Sequence, residues 1–132
     1  MIDNFNHVAI AVKNLDESLK VFESLFGLKA TKIEEVPDQG VKAALIPIGN
    51  GEIELLEPID PNGGVAKFLE KKGEGIHHIC LEVGNTDEAL KSLADKGVAL
   101  IDKVGRKGLA GRVGFIHPKS TNGVLIELAQ KV

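Results

Sequence analysis

"HVAIAVKNLDESLKVFESLFG", residues 7–27, and "HICLEVGNTDEALKSLADKG", residues 78–97, are two copies of one pattern. Each copy begins with a histidine, continues through alternating apolar positions and ends at a glycine suited to the left-handed conformation that follows many helices. A period of two predicts a strand with one buried face, and the later apolar spacing of three to four residues predicts an amphipathic helix. The chain is therefore predicted to contain two related halves.

An asparagine marks the start of each predicted helix. Asn14 and Asn85 lie seven residues after the two histidines, and Glu17 and Glu88 follow three residues later. This spacing is typical of a helix N-terminus, where the side chains satisfy the free backbone amides. The two helices are predicted to begin at these positions and to end before the closing glycines.

The similarity extends to the end of each half. "IELLEP" at 53–58 and "IELAQ" at 126–130 each place an acidic residue inside an apolar run. Between helix and acid, each half has room for two further strands, punctuated by Gly, Pro and Asn. We predict these four strands at 29–36, 41–48, 98–104 and 112–118. The predicted fold class is α+β, with each half folded as β-α-β-β-β.

A single domain of 132 residues accommodates both halves. The first module is predicted at about 1–60 and the second at about 75–132. A short linker helix is predicted between them, in the segment "GGVAKFLEKKG" at 63–73.

The composition argues against nucleic acid or a membrane as a partner. The chain has 16 basic and 19 acidic side chains, a net charge of −3, whereas binding to phosphates or anionic lipids usually needs a basic surplus. The sequence has no Trp or Tyr on which bases could stack. A single cysteine, Cys80, excludes an internal disulfide, and no signal peptide or long apolar run is present. We therefore expect a cytoplasmic protein.

Two histidines and two glutamates occupy equivalent positions in the halves. The apolar neighbours of His7 and His78 are expected to pack under the helices, which leaves these histidines on the opposite sheet face. His77 is expected on the helix side or at the edge of the strand. The same alternation places Glu54 and Glu127 on the face opposite the helices. Either glutamate alone is compatible with a solvent-facing residue, but the four together predict a divalent metal site with nitrogen and oxygen ligands.

Several segments resemble one known family. The two paired modules, with their His and Glu residues, resemble the vicinal oxygen chelate superfamily. Within it, the chain resembles the methylmalonyl-CoA epimerases over nearly its full length. The segments that carry this resemblance are residues 7–28, "PDQGVK" at 37–42, "IELLEP" at 53–58, "GIHHICLEV" at 75–83 and "FIHPKSTNGVLIELAQ" at 115–130.

The resemblance implies a fold, a reaction and a cofactor. In the superfamily, two modules curl a mixed sheet into a cleft around a metal ion. Epimerases of this family interconvert the C2 epimers of methylmalonyl-CoA, a coenzyme A thioester, by proton abstraction through a metal-stabilised enolate. The ligands carried over are His7, Glu54, His78 and Glu127, and the family accepts Gln or Glu at the position of Glu54. The expected metal is cobalt, with zinc, nickel or manganese as alternatives, and the expected assembly is a homodimer.

Glu127 is the first candidate for a catalytic acid or base, because its carboxylate would lie beside the reacting carbon. Some family members carry a second glutamate at the position of Ala43, so a second proton-transfer group is not predicted there. Lys119, Gln39 and Arg112 are the candidate substrate-binding residues. Lys119 and Arg112 belong to a glycine-rich basic segment, 102–119, that is read either as a loop over the substrate phosphates or as a solvated loop.

Three other kinds of protein in the superfamily are alternatives to an epimerase. Glyoxalase I would use the same four ligands and the same enolate chemistry on a glutathione hemithioacetal. A metal-free binding or resistance protein would lack the His and Glu set, and an extradiol dioxygenase would need ferrous iron with fewer protein ligands. The "PDQGVK" and His-Pro-Lys segments favour the epimerase.

Overall fold

The computed structural model describes residues 1–131, which form two compact units. Among the described residues, one unit contains 7–77, and the other contains 1–6 together with 78–131. The division therefore falls at the two equivalent histidines, and the first six residues group with the second half of the sequence.

Eight strands and three helices follow one another along this part of the chain. The strands are β1 (Ile2–Ala11), β2 (Lys32–Val36), β3 (Val41–Ile48), β4 (Gly51–Pro58), β5 (Gly75–Val83), β6 (Arg106–Gly108), β7 (Gly111–Ile116) and β8 (Ile126–Gln130). The helices are α1 (Leu15–Phe26), α2 (Gly64–Lys72) and α3 (Thr86–Asp95). The predicted α+β class, the two β-α-β-β-β halves and the linker helix are confirmed.

In the first unit the strand order is β2-β3-β4-β1, with β1 parallel to β4 and the other pairs antiparallel. Helix α1 packs on one face of this sheet over an apolar core of Val12, Leu15, Ala44, Ile46 and Leu55. The Asn14 side chain accepts a hydrogen bond from the Glu17 amide at 2.9 Å, as predicted for a helix cap.

The second unit repeats this arrangement, with the order β5-β8-β7-β6 and β5 parallel to β8. Helix α3 packs over a core of Val83, Ala89, Leu90, Ile116, Ile126 and Leu128. The Asn85 side chain accepts from the Glu88 amide at 3.0 Å. Asn6 attaches the segment 1–6 to β5, because its side-chain amide donates to Glu82 at 3.2 Å.

The strand predicted at 98–104 is wrong. Only Leu100 forms an isolated bridge, to Ile116, and the first strand after α3 begins at Arg106. The Asp102 carboxylate accepts the Phe115 amide at 2.8 Å, and the Asp102 amide donates to the Phe115 carbonyl at 3.2 Å. Apolar residues at 98–104 suggested a strand, but a side chain takes the place of the regular ladder there.

No helix within residues 1–131 is both long and apolar enough to cross a membrane.

Candidate active site

The first unit holds a buried histidine–glutamate pair. His7 on β1 and Glu54 on β4 are 2% and 5% exposed. Their strands are parallel, and the register sets Glu54 opposite Ala9, two residues beyond His7 on the same face. The Nε2 atom of His7 lies 3.4 Å from the Oε1 atom of Glu54.

The second unit holds the equivalent pair. His78 on β5 and Glu127 on β8 are both 4% exposed, and their Nε2 and Oε1 atoms lie 3.1 Å apart. The register sets Glu127 opposite Cys80, again two residues beyond the histidine. The chain therefore builds the same pair twice, at the places that the sequence repeat predicts.

The predicted faces are confirmed within each unit. The residues that flank the two glutamates, such as Leu55 and Leu128, belong to the cores under the helices. His77 lies on the other side of its strand from His78, and its ring makes an edge contact with Phe68 of α2 at 5.0 Å between centroids. The adjacent histidines therefore have different surroundings.

Each pair has the chemistry of two metal ligands. The unprotonated nitrogen of a neutral imidazole and a carboxylate oxygen both present lone pairs. Their close contact therefore needs either a proton on that nitrogen, which makes a hydrogen bond, or a cation between the two atoms. Ligand atoms bound at about 2.1 Å, roughly at right angles around one cation, lie about 3 Å apart. The distances of 3.4 and 3.1 Å therefore suit a divalent ion, and burial makes an unbalanced carboxylate costly.

Apolar side chains surround the second pair. The Phe115 ring meets the His78 ring edge-on, with 5.3 Å between centroids, and Phe115 is the cross-strand partner of Glu127. Cys80, Val113 and Ala129 form a buried cluster on the same face. These neighbours exclude water from around Glu127, which strengthens electrostatic interactions there. Cys80 is buried and forms no disulfide.

Ala43 lies on the sheet face that carries Glu54, and its side chain is not acidic. Ala43 is paired with Leu56, two residues after Glu54, and is 1% exposed. Its methyl side chain cannot transfer a proton. A second acid or base, if the chemistry needs one, must come from another position.

Two predicted substrate contacts lie in short turns. Gln39 ends a 3₁₀ turn, Pro37–Gln39, and is half-buried. Lys119 is exposed in a second 3₁₀ turn, Pro118–Ser120, and its amide donates to the Nδ1 atom of His117 at 3.0 Å. His117 therefore caps this turn.

Arg112, the third predicted substrate contact, lies on β7. It alternates with Val113 and Phe115, so it lies on the helix side of β7, opposite the face of Glu127. Its Nε atom donates to Asp87 of α3 at 2.7 Å, and Asp87 also accepts the Gly105 amide at 2.7 Å. The Arg112 hydrogen bond, then the Gly105 amide, lower the pKa of the Asp87 carboxyl. The segment 102–119 is not one continuous loop, because β6 and β7 form a hairpin within it.

Arg106, another cation of the basic segment 102–119, lies on the sheet face that carries Glu127. It is not among the substrate contacts predicted from the sequence. It is the cross-strand partner of Val113, and its guanidinium carbon lies 5.6 Å from the centre of the Phe115 ring. A two-residue turn between Gly108 and Gly111 aligns the hairpin and sets this face. The "GLAG" sequence at 108–111 was the signal that could have revealed it.

Comparison with known proteins identifies the family. The sequence model of the Glyoxalase/Bleomycin resistance protein/Dioxygenase superfamily matches residues 6–115. The chain is 41% identical to the mitochondrial methylmalonyl-CoA epimerase of Dictyostelium discoideum, over 98% of this chain and 80% of that protein. The chain belongs to the methylmalonyl-CoA epimerase family of this superfamily.

Two further relatives agree with this assignment. The ethylmalonyl-CoA/methylmalonyl-CoA epimerase of Cereibacter sphaeroides is 38% identical over 98% of this chain and 99% of that protein. A substituted form of the Streptomyces coelicolor methylmalonyl-CoA epimerase, in complex with 2-nitronate-propionyl-CoA, has a TM-score of 0.96 at 32% identity, covering 100% of this chain and 96% of that one. The predicted superfamily fold is confirmed by this likeness.

Proposed function

We propose that this member of the epimerase family interconverts the C2 epimers of methylmalonyl-CoA in a metal-dependent reaction. The observation that carries the proposal is the pair of buried His–Glu contacts, one in each unit, at equivalent positions of the repeat. The relatives named as methylmalonyl-CoA epimerases support the substrate, and so does the S. coelicolor enzyme with its bound coenzyme A thioester.

The proposed metal ligands are His7, Glu54, His78 and Glu127. A divalent ion bound by them would polarise the thioester carbonyl and stabilise the charge of an enolate. Cobalt is the first candidate, with zinc, nickel and manganese as alternatives, because mixed nitrogen and oxygen ligands accept all four. The likeness to enzymes of this superfamily and the spacing of the atoms within each pair support this ligand set.

Glu127 is the proposed catalytic residue. A carboxylate near the C2 carbon can accept the proton as a general base and return it as a general acid. The apolar neighbours Cys80, Val113 and Phe115 support this role, because they keep bulk water away from the carboxylate. Inversion also needs a proton donor on the opposite face of the substrate, and Ala43 is not that donor.

The proposed substrate contacts are Gln39 and Lys119. Gln39 has a side-chain amide that can bond to a carboxylate or to the pantetheine chain, and the exposed Lys119 ammonium suits a phosphate. Arg112 stays a predicted contact, and its guanidinium group forms an ion pair with Asp87 of α3. The family resemblance also supports a homodimer as the proposed assembly.

The test follows the C2 proton of methylmalonyl-CoA by NMR in deuterated water. The purified protein is stripped with a chelator and refilled with cobalt, nickel, manganese or zinc in turn. We expect metal-dependent exchange that is lost in Glu127→Ala, while a thermal melt shows that the variant still folds. Absence of exchange with every metal would reject the proposal. The same preparations, assayed on the hemithioacetal of glutathione, would then test glyoxalase I activity, and inactivity there would favour a binding protein.

A further inference from the structure

We propose that Arg106 binds an oxyanion of the substrate. This inference rests on the proposed function, because it assigns a contact for the substrate of that site. The oxyanion is either the free carboxylate of the acyl group or a phosphate of coenzyme A.

Arg106 ends a row of side chains that crosses four neighbouring strands on one face. His78 lies on β5, Glu127 on β8, Phe115 on β7 and Arg106 on β6. The His78 and Glu127 atoms lie 3.1 Å apart, the Phe115 ring centre lies 5.3 Å from that of His78, and the Arg106 guanidinium carbon lies 5.6 Å from the Phe115 ring centre. One aromatic ring therefore separates the cation from the His–Glu pair.

The Arg106 side chain is held in place but remains accessible. Its Nε atom lies 3.4 Å from Oδ1 of Asp102, while the other Asp102 oxygen accepts the Phe115 amide at 2.8 Å. The face of Phe115 supports the guanidinium plane. The Arg106 side chain is nevertheless 41% exposed, so its outer nitrogens can reach a ligand in solution.

A guanidinium group matches the proposed substrate chemically. Its planar N–H groups form paired hydrogen bonds with the two oxygens of a carboxylate or a phosphate, and lysine cannot reproduce that geometry. Methylmalonyl-CoA carries a carboxylate on the reacting carbon and phosphates at its other end. A neutral acyl thioester lacks the first of these groups, so a contact to the carboxylate would distinguish the two substrates.

The position of the first unit that corresponds to Arg106 does not carry a cation. Arg106 is paired with Val113, which is paired with Ala129, two residues after Glu127. The same steps in the first unit lead from Leu56 through Ala43 to Glu34. Equivalent places on the outer strands therefore carry opposite charges, as expected if only one half faces an anionic group.

The experiment compares Arg106→Gln with the wild type and with Lys107→Gln. Lys107 is the matched control, because it is an exposed cation on the same strand whose side chain points to the opposite face. Exchange kinetics are measured with methylmalonyl-CoA and with methylmalonyl-N-acetylcysteamine, which keeps the carboxylate and lacks the phosphates. We expect Arg106→Gln to lower kcat/KM about 10- to 100-fold, mainly through KM, and Arg106→Lys to recover part of the loss.

The two substrates distinguish the sources of the oxyanion. A loss with both substrates assigns the contact to the carboxylate, and a loss with the coenzyme A ester alone assigns it to a phosphate. Kinetics of Arg106→Gln equal to those of Lys107→Gln would overturn the inference while leaving the epimerase proposal intact.

A binding measurement separates this inference from the reaction. Calorimetric titrations with malonate and with coenzyme A need no turnover, and we expect Arg106→Gln to weaken one of them. If the wild type shows no exchange with any metal, the epimerase proposal fails, and the titrations still test Arg106. Equal affinities of Arg106→Gln and Lys107→Gln for both ligands would reject the anion contact.

Discussion

The two halves of the chain share their buried acids and differ on their outer strands. His7 with Glu54 and His78 with Glu127 form the same contact, at 3.4 and 3.1 Å. The cross-strand partner of the acid is Leu45 in the first unit and Phe115 in the second. Under the proposed function, the equivalent pairs would bind the metal ion, and a substrate with two different ends would need different neighbours. Divergence is therefore expected around the pairs and not within them.

The supports of the helices are also duplicated. The Glu57 carboxylate accepts the Leu15 amide at the start of α1 at 2.8 Å, and the Gln130 side chain accepts the Thr86 amide at the start of α3 at 3.0 Å. Glu57 and Gln130 each lie three residues after the buried glutamate of their unit. One short strand in each half therefore supplies both a candidate ligand and a cap, which explains why these segments resemble each other.

The largest expected effect is a difference in kcat between variants of Glu127 and Glu54. Glu127→Gln should lower kcat for C2 proton exchange by about 100-fold or more, because a neutral amide cannot act as a base. Glu54→Gln should lower it less than about 10-fold, because the amide oxygen can still bind a metal and the family accepts Gln there. Proton exchange by NMR and metal content by elemental analysis measure both effects. Equal losses in kcat would show that the two halves have the same role.

An intermediate effect on stability is expected at two glycines of equivalent strands: Gly40 directly precedes β3, and Gly111 is the first residue of β7. A side chain at Gly111, with a φ of 118°, would overlap the backbone carbonyl oxygen of Gln130. At Gly40, with a φ of 66°, the new Cβ atom would lie 2.8 Å from the side-chain Cβ of Asp60. We expect Gly111→Ala to reduce the free energy of unfolding by about 3 kcal/mol or more, and Gly40→Ala by about 1–2 kcal/mol.

Urea unfolding of both variants checks this difference. Gly49→Ala serves as the control, because its φ of 55° is also positive while no atom lies within 4 Å of the added Cβ. If Gly111→Ala were no less stable than Gly49→Ala, the close approach of β7 to β8 would not contribute to stability.

The smallest expected effect concerns the Arg112–Asp87 ion pair, which joins the β6–β7 hairpin to α3. Because the pKa of Asp87 is lowered in the folded protein, its contribution to stability is present above the ordinary value of 3.8 and is lost as the pH falls through the lower folded pKa. Asp87→Asn should therefore lower Tm slightly at pH 7 and not at strongly acidic pH, and Arg112→Gln should behave alike. Thermal melts across this range measure the effect, and a Tm difference independent of pH would contradict it.

Much of the fold and both buried pairs follow from the amino-acid sequence by itself. Asn14 and Asn85 mark their helices through local hydrogen bonds to residues three positions away, which sequence spacing specifies directly. Alternation along a regular strand likewise specifies that His78, and not His77, shares a face with Glu127.

The surroundings of the second pair were decided only by tertiary structure. Strand alternation cannot be carried through 98–105, where Asp102 and Asp87 replace ladder hydrogen bonds with contacts to residues 13 and 18 positions away. Arg112 forms an ion pair with Asp87 of α3, and the Arg106 guanidinium group lies over the Phe115 ring. Local spacing determines periodic elements and their caps, whereas long-range side-chain contacts determine which of several similar cations faces the site.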